Sequence, residues 1–349
     1  MGFCFFQNLL ATASKPMNTE PEQSTSLESP RNLPPSRWLI VAAFAAIYVV
    51  WGSTYLGIRF AIESIPPFFM AGSRSLVAGL VLFLFASRGQ SFPTLRQWRD
   101  AFIVGGLMLT IGNGGVSWAE RFIPSGVAAL IVALVPLWMV IIDWLRPNGI
   151  RPRSRVIVGL VVGFIGVACL TQGKTDGAAH LHVGGVIVLM FSSLCWAAGS
   201  IFSRHSSRPK SLLLSVGMQM IAGGSLLLLT GLIANETETF SLARVTSTSA
   251  LAWLYLTVMG SLVGFTAYGF LLRVSTPAKV ATSGYVNPLI AVLLGCTIGN
   301  EVFSREIFLA GSLIIVAVAL IVTAGVSASN SWPARLLRPL LPARFARED

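Results

Sequence analysis

The chain has 349 residues, 54% of them hydrophobic and only 11% charged, with a mean hydropathy of +0.73. A soluble domain carries about a quarter charged residues, so this composition excludes one and predicts an all-α membrane protein. The net charge of +11 would suit nucleic acid, but the placement of the charges reads as membrane sidedness, and no nucleic-acid partner is expected.

Residues 1–37 are a polar tail after a short apolar start, Met1 to Leu10. No basic residue precedes that start and no convincing cleavage site follows, so it does not read as a signal peptide. Translation beginning at Met17 would leave a wholly polar tail. Ten apolar runs follow, at about 38–57, 66–86, 100–119, 124–145, 155–172, 183–203, 211–233, 250–271, 277–298 and 306–326. Each is close to the roughly 20 residues that cross about 30 Å of hydrocarbon as a helix.

The first run carries Trp51 about 20 Å from its start, and Tyr55 follows one turn later. In the second, Arg74 lies about 12 Å deep, too far from either end to snorkel. It calls for a carboxylate, a carbonyl cluster or a substrate as its partner. The third run sets Gly112, Gly114 and Gly115 around Asn113 and ends at Trp118, a poor helix by propensity. An irregular backbone in lipid is tolerated where protein or a wet cavity covers it, so Asn113 and Trp118 read as cavity wall; packing through small residues is the plainer account. Glu120 then stands beside Arg121, as a helix-end ion pair or as a titratable gate that couples protons to substrate. The fourth run holds Pro136, a kink site, and Asp143, expected to face the basic stretch Arg146 to Arg155.

His180 and His182, in the loop after the fifth run, read as solvated. With Cys4, Cys169, Cys195 and Cys296 scattered, no metal site, disulfide or cofactor is expected. Trp196 lies deep in the sixth run and Tyr268 in the eighth, while the ninth contains Tyr285, Asn287 and Pro288. The loop at 234–249 carries Asn235-Glu236-Thr237, a glycosylation pattern that has meaning only in a glycosylating compartment. Residues 327–349 hold four arginines, suited to an anionic membrane surface or to a solvated tail.

Shifted by 152 residues, the stretch from Arg121 falls on the stretch from Arg273: Pro136-Leu137 on Pro288-Leu289, Asn148 on Asn300, Arg153 on Arg305 and Gly159 on Gly311. A repeat of five spans places its two copies upside down in the membrane, the construction of many secondary transporters. The charges agree. Nineteen of the 25 Lys and Arg residues fall on the side of the N-terminus and five on the other, with Arg74 inside a span. By the positive-inside rule both termini are cytoplasmic. Trp51 and Trp196 then enter from opposite sides to mirror-related depths, as do Pro136 and Pro288. Symmetry fails at Glu120, which matches Leu272, at Asn113, which matches Phe265, and at Arg74, which has no clear charged mate.

Trp51-Gly52-Ser53-Thr54-Tyr55, Ile65-Pro66-Pro67, Ala71-Gly72-Ser73-Arg74, Trp118-Ala119-Glu120, Pro124 to Leu130 and Asn287-Pro288-Leu289 stand in an order and spacing that resembles the EamA-type families of the drug/metabolite transporter superfamily. The resemblance covers about residues 38–326 and implies two inverted five-helix repeats around a cavity that opens alternately to each side. It also implies roles for Trp51, Arg74 and Glu120 at the family's signature positions. One departure is that Glu301, often paired in such families, has Gly149 as its repeat mate.

The expectation is therefore a ten-helix protein of the cytoplasmic (inner) membrane, built as tail 1–37, repeats 38–172 and 183–326, and tail 327–349. It is read as a secondary transporter, not an enzyme, exporting a small metabolite, amino-acid-like compound or drug. Trp51, Tyr55, Arg74, Asn113, Trp118, Trp196, Tyr268, Tyr285 and Asn287 would line the cavity, and Pro136 and Pro288 would kink around it. Glu120 would gate it or couple it to protons, and a homodimer is not readable. An importer or exchanger of phosphorylated or nucleotide-sugar metabolites would want several cavity Lys or Arg. An intramembrane enzyme would want a nucleophile-base or metal set at membrane depth, whereas all three His lie in loops.

Overall fold

The computed structural model describes residues 36–145, 152, 154–170, 174–175, 179–180, 182–275, 280, 283–302 and 304–329. Its helices are α1 (Arg37–Ala61), α2 (Pro67–Ala86), α3 (Leu95–Ala119), α4 (Ser125–Leu145), α5 (Ser154–Leu170), α6 (Val183–His205), α7 (Leu212–Ile233), α8 (Ser247–Leu271), α9 (Ser283–Thr297) and α10 (Arg305–Ser329). Seven of these are long and apolar enough to cross a membrane, and α5, α9 and α10 supply shorter apolar stretches. Among the described residues the protein is all-α but for a two-residue antiparallel pair, β1 (Lys174–Thr175) with β2 (Ala179–His180).

Local chemistry starts these helices where the apolar runs begin. Pro67, whose missing N–H costs nothing in a first turn, opens α2. Thr94 and Gln97 form a capping box at α3, and Ser211 and Thr246 accept backbone N–H groups at α7 and α8. His182, expected to be solvated, is exposed and also caps α6: its Nδ1 accepts the Gly185 N–H at 3.0 Å, and its ring stacks on Phe122 at 4.7 Å.

Large apolar side chains point outward, among them Leu84 on α2, Val161 on α5 and Leu293 on α9, all more than half exposed. In lipid such groups gain nothing by burial, so helix association must come from close backbone packing. The α2–α7 pair shows it. A Cβ on Gly79 would lie 2.7 Å from the Ile221 nitrogen, and one on Gly224 would lie 2.7 Å from that of Leu76. The α5–α10 pair repeats the device, with Gly166 against Ile314 and the Ala310 carbonyl.

Each half of five helices thus gives one member to each of these two pairs. The halves share a rarer feature. α3 is π-wound over Gly106–Asn113 and α8 over Leu256–Gly264. The glycine-rich third span is therefore widened rather than broken, and its glycines also pack: those at 112 and 115 make room for Trp196 and Ser192 of α6. The two prolines differ more than the repeat predicts. α4 is interrupted between Val132 and Val135, directly before Pro136, whereas α9 runs continuously through Pro288.

Candidate functional site

A cavity of about 160 Å³ lies between the halves. Its aromatic wall is one contact group: the Trp51 ring meets Trp196 edge-on at 6.1 Å, Phe265 at 5.6 Å and Tyr268 at 5.0 Å. Trp51 and Trp196, expected at mirrored depths, thus meet each other. Each rests on a glycine of the facing π-wound stretch, Trp51 on Gly264 and Trp196 on Gly112. Trp51 also donates from Nε1 to the Gly260 carbonyl at 3.4 Å.

The polar end of the cavity is built around Arg74, which is only 3% exposed. Its Nη1 donates to Ser261 Oγ at 3.3 Å and its Nη2 donates to Asn113 Oδ1. Asn113 and Ser261 belong to the two π-wound stretches, so one guanidinium joins them. Inserted turns of this kind recur at functional sites because they re-aim side chains and free backbone groups. Arg74 Nε is buried without a hydrogen-bond partner, and among the described residues no carboxylate lies within ion-pair distance of the guanidinium. The polar lining continues with Thr54, Ser192, Ser193 and Ser283. Asn287 lines it too, and its amide fits with the nitrogen toward the carbonyls of Ile47, Tyr48 and Ser283, each 3.3 Å away, which its two N–H groups can reach.

Arg204 also lines the cavity and is exposed in the last turn of α6. The cavity therefore reaches the face from which α1 starts, the basic face of the sequence. The opposite face is tied shut. Glu301, in the loop after α9, accepts from the Ser125 and Gly126 N–H groups that open α4 (2.8 and 3.2 Å) and from Arg59 at the end of α1 (3.0 Å). Glu236, in the loop after α7, accepts from the Phe68 and Phe69 N–H groups of α2 at 3.1 and 2.9 Å. A carboxylate at a helix N-terminus satisfies orphan donors and complements the dipole.

Of the residues expected in the cavity, Trp51, Tyr55, Arg74, Asn113, Trp196, Tyr268 and Asn287 line it, with both Pro136 and Pro288. Trp118 does not: its ring packs on Phe122 at 5.2 Å, near the end of α3, and five residues of ordinary helix set it roughly 140° around the axis from Asn113. The Tyr285 side chain lies outside the described residues, as does most of the basic stretch that Asp143 was expected to face. Glu120 forms no ion pair with Arg121. It is 5% exposed, neither carboxylate oxygen has a hydrogen-bond partner, and it sits in the field of Glu301, Arg59 and Arg74. Ser261 and Phe265 were not anticipated. The 152-residue shift lays Phe265 on Asn113 and Ser261 on Leu109, so no like residue in the other half marked either of them.

The sequence pattern of the EamA-like transporter family matches this chain twice, over residues 36–172 and 183–323. The chain is 37% identical over 284 residues to the "uncharacterized inner membrane transporter YedA" of Escherichia coli strain K12, covering 81% of this chain and 90% of that protein. It is 27% identical over 280 residues to the "probable amino-acid metabolite efflux pump" of Salmonella typhimurium strain LT2, covering 76% and 90%. A solved crystal structure superposes on 82% of this chain and 98% of its own, with a TM-score of 0.56 at 19% identity, and so shares the fold. With two copies of the family pattern arranged around one central cavity, this chain belongs to the EamA-like transporter family and is a multi-span membrane transporter.

Proposed function

We propose that the protein exports a small metabolite across the inner membrane by alternating access, with both termini in the cytoplasm. The observation that carries this reading is the asymmetry of the cavity, which reaches the basic face at Arg204 and is closed toward the other face by Glu301 and Arg59. With the basic face cytoplasmic, that is the state in which an exporter collects its cargo and an importer releases it, so the cavity supplies the access and the relatives supply the direction. The efflux pump among the relatives supports the same direction. A volume near that of an engineered cavity of about 150 Å³ that binds benzene favours metabolite-sized cargo over bulky drugs.

In this reading the repeats 38–172 and 183–326 rock about the fixed site, and release requires Glu301 to leave the start of α4. Glu120, buried beside that contact without a partner, is the candidate for a gate or a proton carrier. Counterflow in proteoliposomes against a metabolite panel, with and without a pH gradient, tests it. Exchange that the gradient does not change removes proton coupling, and no exchange for any compound removes the transport reading.

A further inference from the structure

We infer that the cargo is an organic monoanion: a carboxylate that docks on Arg74, joined to an apolar body held by Trp51, Trp196 and Phe265. The inference rests on the transport reading and narrows its substrate class. Its starting point is the state of the guanidinium. Arg74 is 97% buried, both of its hydrogen-bond partners are neutral, and Nε faces none. A buried cation that lines the cavity with only neutral partners is a site for an anion, and the planar guanidinium matches a carboxylate.

The rest of the lining agrees. Among the described lining residues the charged ones are Arg74 and Arg204, and no carboxylate joins them. Glu120 acts on Arg74 through its field but does not line the cavity, so a cationic ligand would meet two positive charges and no acid. Aromatic rings alone can hold a cation, but here they share about 160 Å³ with a guanidinium. Arg204 at the mouth raises the local concentration of anions. A phosphate dianion would want a second buried cation, and the described lining has none at depth.

The test uses four probes with the same phenyl ring and short chain: 3-phenylpropionate, phenylalanine, 2-phenylethylamine and 3-phenylpropanamide. Calorimetry on the purified full-length protein measures binding, and counterflow in proteoliposomes measures exchange. The acid should bind and exchange, with the amine and the amide weaker by about tenfold or more, the typical worth of a charge-assisted contact. Arg74→Gln should remove that preference, so that acid and amide bind alike, and Arg74→Lys should keep part of it. If Arg74→Gln does not fold, the comparison of acid with amide on the unaltered protein decides. Amine binding equal to acid, binding of the zwitterion without the acid, or binding of none of the four overturns the inference. Exchange of amines but not acids would overturn it while leaving transport standing; acid binding without exchange of any compound would do the reverse.

Discussion

The two ends of the cavity are made of the same helices run in opposite directions, and they differ in how loops hold those helices. At the charge-poor end, carboxylates from the second half cap two helices of the first: Glu301 on α4 and Glu236 on α2, each through two N–H groups. At the basic end the described counterpart is thinner. Asp100, near the start of α3, accepts one N–H, from Ser207 at 2.7 Å before α7, and pairs with its neighbour Arg99. The residue that matches Glu301 in the repeat is Gly149. An inverted repeat thus supplies equal frameworks, and the departures from it decide which end is tied.

That comparison is most exposed to test at Glu301. Glu301→Ala leaves two buried N–H groups unsatisfied and the part-exposed Arg59 without its partner, and should cost about 2–3 kcal/mol of stability. It should also speed thiol labelling of an Ile58→Cys probe from the charge-poor side. A variant that melts like the parent in detergent, with unchanged labelling, would show that the contact is not a closure.

The next effect tests the symmetry between the halves. A Cβ at Gly264 would overlap the Trp51 indole, whereas one at Gly112 would stand 3.1 Å from Trp196. Gly264→Ala should therefore cost about 1–3 kcal/mol through overpacking, and Gly112→Ala clearly less. Equal melting shifts would refute the ranking. Glu236→Ala, losing a cap without a charged partner, should cost about 1–2 kcal/mol and slow exchange little. Asp100→Asn keeps an acceptor for Ser207 and should change stability by about 1 kcal/mol or less. Should Asp100→Asn prove as damaging as Glu301→Ala, the two ends would be equally tied and the contrast would fall.

Much of this was legible before any coordinates, for identifiable reasons. Arg74 stands out because a charge some 12 Å into an apolar run has few explanations, and the structure finds it where one is needed, joining two helices at the cavity. Trp118 was placed in the cavity wall because it ends a glycine-rich, irregular run, but five residues of ordinary helix carry it roughly 140° around the axis from Asn113. Glu236 read as one residue of a polar loop, and no periodicity marks a carboxylate that will cap a helix 168 residues earlier in the chain.

Composition and period by themselves determined the membrane class, the apolar segments and the repeat, because bilayer thickness and backbone hydrogen bonding leave little freedom within one span. The tertiary structure decided what depends on contacts between spans. It brought Trp51 to Trp196, set Asn113 and Ser261 on either side of Arg74, and put Glu301 on the start of α4. Those contacts arise between residues far apart in the chain, and the energy that selects them belongs to pairs of surfaces rather than to any one segment.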